Sequence, residues 1–335
     1  MATKIEWTDE TWNPITGCSK VSAGCAHCYA ERVMKRFWPR RKFADIQLHE
    51  DRLLQPMHWK KPRRVFVNSM SDLFHESVPD EFIDKVFAVM ALCPQHTFQI
   101  LTKRAGRMVE YMKACNLKIR IQNIVDDSET WDDSPISESE ISPLIDDWPL
   151  PNVWLGVSAE NQEQADKRIS QLLKTPAALR FVSAEPLLSQ IILRPEWLEI
   201  KSEGQWMNNL ECGHGLLRWV ICGGESGPKA RFMHPEWVRA LRDQCQASGV
   251  PFFFKQWGEW RPPTVGEEYE TAYGINGNPP SFLVDTNGNT HCFYPPDDDA
   301  VTPDQCRCAP MIRAGKKRAG RLLDGATWDQ MPEGK

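Results

Sequence analysis

The sequence predicts an α/β chain: a partial or complete (β/α) barrel with parallel strands, an N-terminal cysteine loop and a small inserted subdomain. Three observations predict it. Short apolar runs rich in Val, Ile and Phe alternate with helical patterns, as a parallel sheet covered by helices requires. Cys18, Cys25 and Cys28 sit together near the start and form the N-terminal cysteine loop. Several apolar runs end in polar residues, and parallel barrels gather their chemistry where strands end. No Gly-x-Gly-x-x-Gly or P-loop run follows a strand, which weighs against nucleotide-binding Rossmann and kinase readings.

The strands expected are Val65–Asn68, Thr97–Leu101, Val153–Val157, Arg180–Val182, Trp219–Cys222 and Pro251–Phe254. Between them, Cys28–Phe37, Asp80–Leu92, Ala105–Cys115, Gln162–Leu173 and Pro235–Ser248 carry helical patterns. The last has Pro235 at its first position and Gly249 just past its end, sound start and stop signals. The barrel is expected over residues 1–260, with an acidic excursion at 126–148 that is rich in Ser and Pro. Residues 261–312 read as an inserted subdomain, in which Phe282–Val284 and Thr290–Phe293 flank a turn containing Asn287-Gly288 and form a β-hairpin. Residues 313–335 form a basic tail expected to pack on the barrel.

Composition limits the function. A chain of 335 residues can bury a large core. Its N-terminus is polar and acidic, unlike a signal peptide, and no stretch approaches the ~18 uninterrupted apolar residues of a membrane span. Eleven cysteines, an odd number, point to a reducing cytoplasm and to metal-binding or buried roles. The formal charge of −5 hides segregation: residues 31–64 carry 11 Lys or Arg against 4 Asp or Glu, whereas residues 126–147 carry 9 Asp or Glu and no Lys or Arg.

The cysteine run is the sharpest chemical signal. Three thiolates on one loop can hold three irons of a [4Fe–4S] cluster and leave the fourth iron open to a substrate or cofactor. A closed structural zinc site would want a fourth ligand close by, and only His27, wedged between the cysteines, is offered. The zinc alternative therefore needs a distant residue. Cys93, Cys115, Cys222 and Cys245 lie in apolar periodic segments and read as small core residues. Cys212, His214, Cys292, Cys306 and Cys308 are candidates for a second metal site, at spacings poor for a standard zinc module.

Polar residues recur at the strand ends. Ser69-Met70-Ser71-Asp72 follows one strand and Thr102-Lys103-Arg104 the next. Two later strands end in Ser158-Ala159-Glu160 and Ser183-Ala184-Glu185, and another in Gly223-Gly224-Glu225. Carboxylates just past three successive strands would converge on a barrel mouth. Any one of them could instead be an acidic residue favoured by a helix N-terminus. Lys103 and Arg104 could equally be solvated surface charges.

The run Gly17-Cys18, Gly24-Cys25 through Cys28-Tyr29-Ala30 resembles the radical S-adenosylmethionine superfamily, although the spacing is six then two residues rather than three then two. With Thr11-Trp12-Asn13-Pro14, Gly223-Gly224-Glu225-Ser226-Gly227 and Phe254-Lys255-Gln256-Trp257-Gly258, it looks closest to a phage- and prophage-associated three-cysteine family of uncertain function. The resemblance implies a [4Fe–4S] cluster on Cys18, Cys25 and Cys28 that reductively cleaves S-adenosylmethionine to methionine and a 5′-deoxyadenosyl radical. It also implies an electron donor such as flavodoxin or ferredoxin. By position it places Ser69 or Asp72 at the methionine amino group, Lys103 at the carboxylate and Glu160 at the ribose. Glu185, Gly223, Gly224 and Glu225 also fall on the cofactor side.

A substrate candidate comes from charge. Arg36, Arg40, Arg41, Lys60 and Arg63 interleave with Trp38 and Trp59. Basic side chains neutralise phosphates and aromatic rings stack on bases, so DNA or RNA is the partner expected, with modification or photoproduct-type repair as the reaction. The bland alternative is a solvated basic face with ordinary core tryptophans. Two other functions compete: a zinc-stabilised nucleic-acid-binding protein without redox chemistry, and a barrel hydrolase using a divalent metal with the strand-end carboxylates. The hydrolase is weakened by the lack of a His-x-His pair or a His-Glu-x-x-His run.

Overall fold

The computed structural model describes residues 3, 5–127, 148–202, 205–208, 216–264, 281–292 and 308–332. Seven parallel strands form one sheet: β1 (Glu10–Trp12), β2 (Arg64–Val67), β3 (Thr97–Thr102), β4 (Val153–Ser158), β5 (Leu179–Ala184), β6 (Leu217–Gly223) and β7 (Phe252–Gln256). Each pairs with the next in chain order, so the sheet is wound in one direction and curls into a half-barrel. The helices are α1 (Tyr29–Phe37), α2 (Asp80–Ala91), α3 (Ala105–Met112), α4 (Leu117–Asp126), α5 (Gln162–Leu173) and α6 (Pro235–Ala247). The expected α/β half-barrel class is observed.

The strands sort their side chains by parity, because successive residues of a strand point to opposite faces. Val65, Val67, Phe98, Ile100, Val182, Val220 and Phe254 face the helices and join the main core. Phe66, Trp154, Phe181, Trp219 and Phe253 face inward and, with Trp7, form a second apolar cluster inside the curl. Trp7 and Trp219 pack edge to face there, with ring centroids 6.0 Å apart. This aromatic plug fills one end of the half-barrel. One or two residues further along the same inward columns the side chains turn polar, and that change positions the site.

Space in the plug is tight at Gly156 on β4. A methyl group there would lie 2.4 Å from the Phe181 ring. Gly156→Ala is expected to cost about 1–3 kcal/mol through overpacking. Chemical denaturation checks this, and an unchanged midpoint would mean that the ring has room to move.

Residues 260–313, overrunning the expected 261–312 segment by one residue at each end, contribute a four-stranded antiparallel sheet: β8 (Trp260–Arg261), β9 (Ser281–Val284), β10 (Thr290–Cys292) and β11 (Ala309–Arg313), in the order β8-β11-β9-β10. The β9–β10 hairpin turns on Asp285, whose Oδ1 accepts from Asn287 N at 2.9 Å and Asn289 N at 2.8 Å. The hairpin docks on the barrel where Trp237 of α6 donates to the Thr286 carbonyl at 2.9 Å. The tail meets the free edge of β7: Phe254 N donates to Trp328 O at 2.7 Å, and Phe253 bridges Asp329 in antiparallel register.

Several elements depart from expectation. β1 is only three residues long, too short to stand out as an apolar run. The Ala105–Cys115 helix ends at Met112, leaving Cys115 exposed rather than in the core, while Cys93, Cys222 and Cys245 are buried. α4 was not anticipated. Most of the 126–148 excursion lies outside the described residues, as do Cys212, His214 and Cys306. Among the described residues no helix is long and apolar enough to cross a membrane.

Candidate functional site

A cavity of about 350 Å³ opens at the C-terminal ends of the strands, within the size range of small-molecule sites. Cys18, Cys25 and Cys28 line it together. All three thiols are free and partly exposed. Their loop is pinned from behind by Glu160, which is fully buried and accepts from the Gly24 amide at 2.9 Å. The other Glu160 oxygen accepts from Arg168 of α5 at 2.9 Å. Burial works to raise the Glu160 pKa, but the Ser22–Gly24 segment and Arg168 outweigh it and hold the carboxyl below its ordinary range.

Asp72 is a second hub. Its Oδ1 accepts from Phe74 N at 3.0 Å and Thr102 Oγ1 at 2.7 Å. Its Oδ2 accepts from Lys103 N at 3.1 Å and Arg104 Nη1 at 3.2 Å. Arg104 also donates to Glu76, to the Ser19 carbonyl and hydroxyl, and to Cys18 Sγ at 3.6 Å. Burial and the Asp72 charge push the Cys18 thiol up to about 11, against the pull of Arg104. Arg104 is thus no solvated surface charge. It is 6% exposed and fastens the cysteine loop to the end of β3.

Above the aromatic plug lies a polar ring. Lys103 Nζ donates to Ser158 Oγ at 2.9 Å, and Ser158 Oγ donates to the Glu185 carbonyl at 3.1 Å. Ser183 Oγ donates to Glu185 Oε2 at 3.0 Å, and Lys255 Nζ pairs with Glu185 Oε1 at 3.1 Å. Two buried polar atoms at the cavity wall lack a partner in the structure: Asn68 Nδ2, a donor, and Gln256 Oε1, an acceptor. On the far rim, Glu225 Oε1 accepts from Arg231 Nη2 at 2.7 Å, and its Oε2 meets His27 Nδ1 at 3.0 Å. Tyr29 O–H donates to the Ser69 carbonyl.

The structure therefore gathers most of the residues singled out from the sequence. Ser69, Asp72, Lys103, Glu185, Gly224 and Glu225 line the cavity with the three cysteines. Glu160 and Gly223 do not. Glu160 sits behind the loop, and Glu185 Oε1 lies 2.6 Å from where a Gly223 Cβ would stand. Both Asp72 oxygens are occupied by protein donors, as is the Glu225 carboxylate.

The expected nucleic-acid residues do not gather there. Trp59 packs on the main core and against His96, with Arg63 over its ring at 5.5 Å. Arg63 pairs with Glu10 at 2.8 Å, just before β2 and so at the opposite end of the sheet from the cavity. Lys60, in the same segment, is exposed. Arg41 donates to the carbonyls of Thr16 and Asp45. Arg36, Arg40 and Trp38 are exposed around the end of α1.

Sequence reasoning gave no site role to Asn68, Ser158, Ser183, Lys255 and Arg168, and it counted Arg32 only as part of the basic run of residues 31–64. The first four had a signal: each stands two residues beyond an inward aromatic or glycine on its strand, so parity alone puts it on the inward face. Arg168 had none, because a helix residue reaches the site through tertiary packing, and Arg32 had only its place in a basic run.

Among the described residues no group of three or more His, Cys, Asp or Glu side chains is placed to hold a single metal ion. A cluster makes a different demand, since it spreads its ligands over three irons rather than one point. The donor set, three free thiols on the wall of one cavity, fits that group.

Comparison with known proteins gives the family. A family model described as a protein of unknown function, DUF5131, matches residues 2–332. The chain belongs to the DUF5131 family. This corrects the resemblance drawn from the cysteine motif. The match spans nearly the whole chain and carries no radical S-adenosylmethionine assignment, so membership of that superfamily and of its phage-associated branch is withdrawn. A loop of three cysteines is short, and its spacing here already departed from the superfamily pattern. No curated protein matches the chain. No solved structure matches it either.

Proposed function

We propose that this DUF5131 chain is a redox enzyme that holds a [4Fe–4S] cluster on Cys18, Cys25 and Cys28 and reductively cleaves S-adenosylmethionine to begin chemistry on a second substrate. One observation carries the reading: three free thiols share the wall of a small-molecule-sized cavity with Lys103, a cation that makes no ion pair within 4 Å among the described residues. When bound, such a cluster supplies one electron at an iron that has no protein ligand.

The chain's own residues do the rest. Glu160 and Arg104 hold the cysteine loop from two sides. Lys103 offers its ammonium group to the carboxylate of the methionine moiety, while Ser158 orients it. Asp72, with both oxygens filled, sets the backbone and side chains of Lys103 and Arg104 rather than meeting the ligand. Glu185, fixed by Ser183 and Lys255, supplies an acceptor for an ammonium or hydroxyl group. Asn68 and Gln256 line the same cavity. The aromatic plug keeps water from entering through the floor. A reducing compartment such as the cytoplasm would keep the thiols available, and an electron donor such as flavodoxin or ferredoxin would recharge the site.

Anaerobic reconstitution with iron and sulfide tests this. About four irons per chain are expected, and 5′-deoxyadenosine should form when dithionite and S-adenosylmethionine are added. A colourless protein that takes up zinc, or an iron protein that forms no 5′-deoxyadenosine, would sink the proposal.

A further inference from the structure

The cavity is positive although the chain is negative. Arg32, Lys103, Arg104, Lys255 and Lys316 line it, against Asp72, Glu185 and Glu225. Each carboxylate is already matched: Asp72 by Arg104 at 3.2 Å, Glu185 by Lys255 at 3.1 Å and Glu225 by Arg231 at 2.7 Å. Arg32, Lys103 and Lys316 are left, with no carboxylate partner among the described residues. They come from α1, the end of β3 and the tail, so three separate parts of the chain deliver charge to one opening. The formal charge of the whole chain is −5, so general basicity does not explain the excess.

Arg32 is held for this role. Its Nη2 donates to the Ser226 carbonyl at 2.9 Å, which fixes the guanidinium without neutralising it. The guanidinium lies against Gly227, whose φ is +111°, and a methyl group there would fall 1.6 Å from Arg32 Nη1. Lys316 opens the short helix Lys316–Ala319, in which Lys317 and Arg318 are also exposed, so the basic surface runs on past the cavity. Tyr29, at the cavity wall, is 46% exposed. Phe37 and Trp38, at the other end of α1, are exposed too. Cations beside exposed rings are the pattern that holds single strands, with charges on the phosphates and rings under the bases.

We infer that the cavity mouth is a phosphate-binding rim for a single nucleic-acid strand, with Arg32 and Lys316 on phosphate groups and the Tyr29 ring beside a base. The inference deepens the reading above and rests on it for what happens after binding. It moves the nucleic-acid contact from the Arg63 and Trp59 end of the sheet to the end that carries the cysteines. A free nucleotide presents the same phosphate chemistry, but it would not need the basic surface of Lys317 and Arg318 beyond the cavity.

Fluorescence anisotropy with labelled single-stranded DNA and RNA, over a salt series, tests it on the full chain with and without iron. Single strands should bind, with affinity falling linearly in log–log form as salt rises. Arg32→Ala and Lys316→Ala should each flatten that slope by about 0.7 per lost phosphate contact, with melting temperatures unchanged. Lys60→Ala and Arg63→Ala should leave the slope alone. No affinity for either strand, unchanged slopes in both rim variants, or displacement of the strand by equimolar nucleoside monophosphate would overturn the inference. Iron content and 5′-deoxyadenosine are measured in parallel, so the two proposals fail separately. Strand binding by a protein that takes no iron sinks the cluster reading and leaves the rim standing. S-adenosylmethionine cleavage without strand binding does the reverse.

Discussion

Alanine at any one of Cys18, Cys25 or Cys28 is expected to reduce the iron content of the reconstituted protein to background and to abolish 5′-deoxyadenosine formation. The three thiols lie on a loop at a cavity wall and are only partly buried, so their loss removes ligands rather than core volume. The iron-free variants should therefore unfold within about 1 kcal/mol of the iron-free parent. Iron and sulfide analysis with denaturant titration of the apo-proteins checks both halves. Single variants that keep full iron content would remove the cluster assignment. Variants that lose iron only because they no longer fold would remove the view of the loop as a pure ligand carrier.

Glu160→Ala should be the most destabilising substitution at the site. Glu160 is 0% exposed, and its partner Arg168 is 3% exposed. Removing the carboxylate leaves a buried guanidinium with only the Ser158 carbonyl at 2.7 Å, a loss expected to cost about 3–5 kcal/mol. It also frees Gly24, so iron loading should fall as well. The double variant Glu160→Leu, Arg168→Met should regain much of the stability, because no charge is left buried, but not the iron loading. Denaturation midpoints and iron content of the two variants separate the core role of Glu160 from its hold on the loop. If the double variant loads iron normally, the Gly24 contact does not matter.

The fold was legible in the sequence because parallel strands buried on both faces write themselves as short apolar runs. Val65–Asn68, Thr97–Leu101 and Val153–Val157 each fall within about one residue of an observed strand. β1 was not legible, since three residues containing Glu10 carry no run. Half of the site was legible too, because motif residues at strand ends must converge in a parallel barrel. The sequence could not say which of those residues the protein keeps for itself. Asp72, Glu160 and Glu225 all read as carboxylates on the cofactor side. Their partners Arg104, Arg168 and Arg231, at 3.2, 2.9 and 2.7 Å, turn them into struts. Lys103 and Arg104 are neighbours with opposite fates for the same reason. The basic run has no fixed end: Arg36 lies at the end of α1, whereas Arg63 lies just before β2 at the far end of the sheet.

The pairing of the tail with β7 has a consequence for the order in which the chain assembles. β7 is complete at Gln256, yet its outer edge is met by Trp328, Asp329 and Gln330, which are made much later. At about 5–20 residues per second of synthesis, that edge stays bare for several seconds on the ribosome. Through that interval the nascent half-barrel carries Phe252, Phe253 and Phe254 on an unpaired edge, the kind of strand that recruits other chains. Closure of the sheet is thus a late event of synthesis, and Gln330, which also accepts the indole N–H of Trp219 at 3.0 Å, is the residue that ties the finished edge to the aromatic plug.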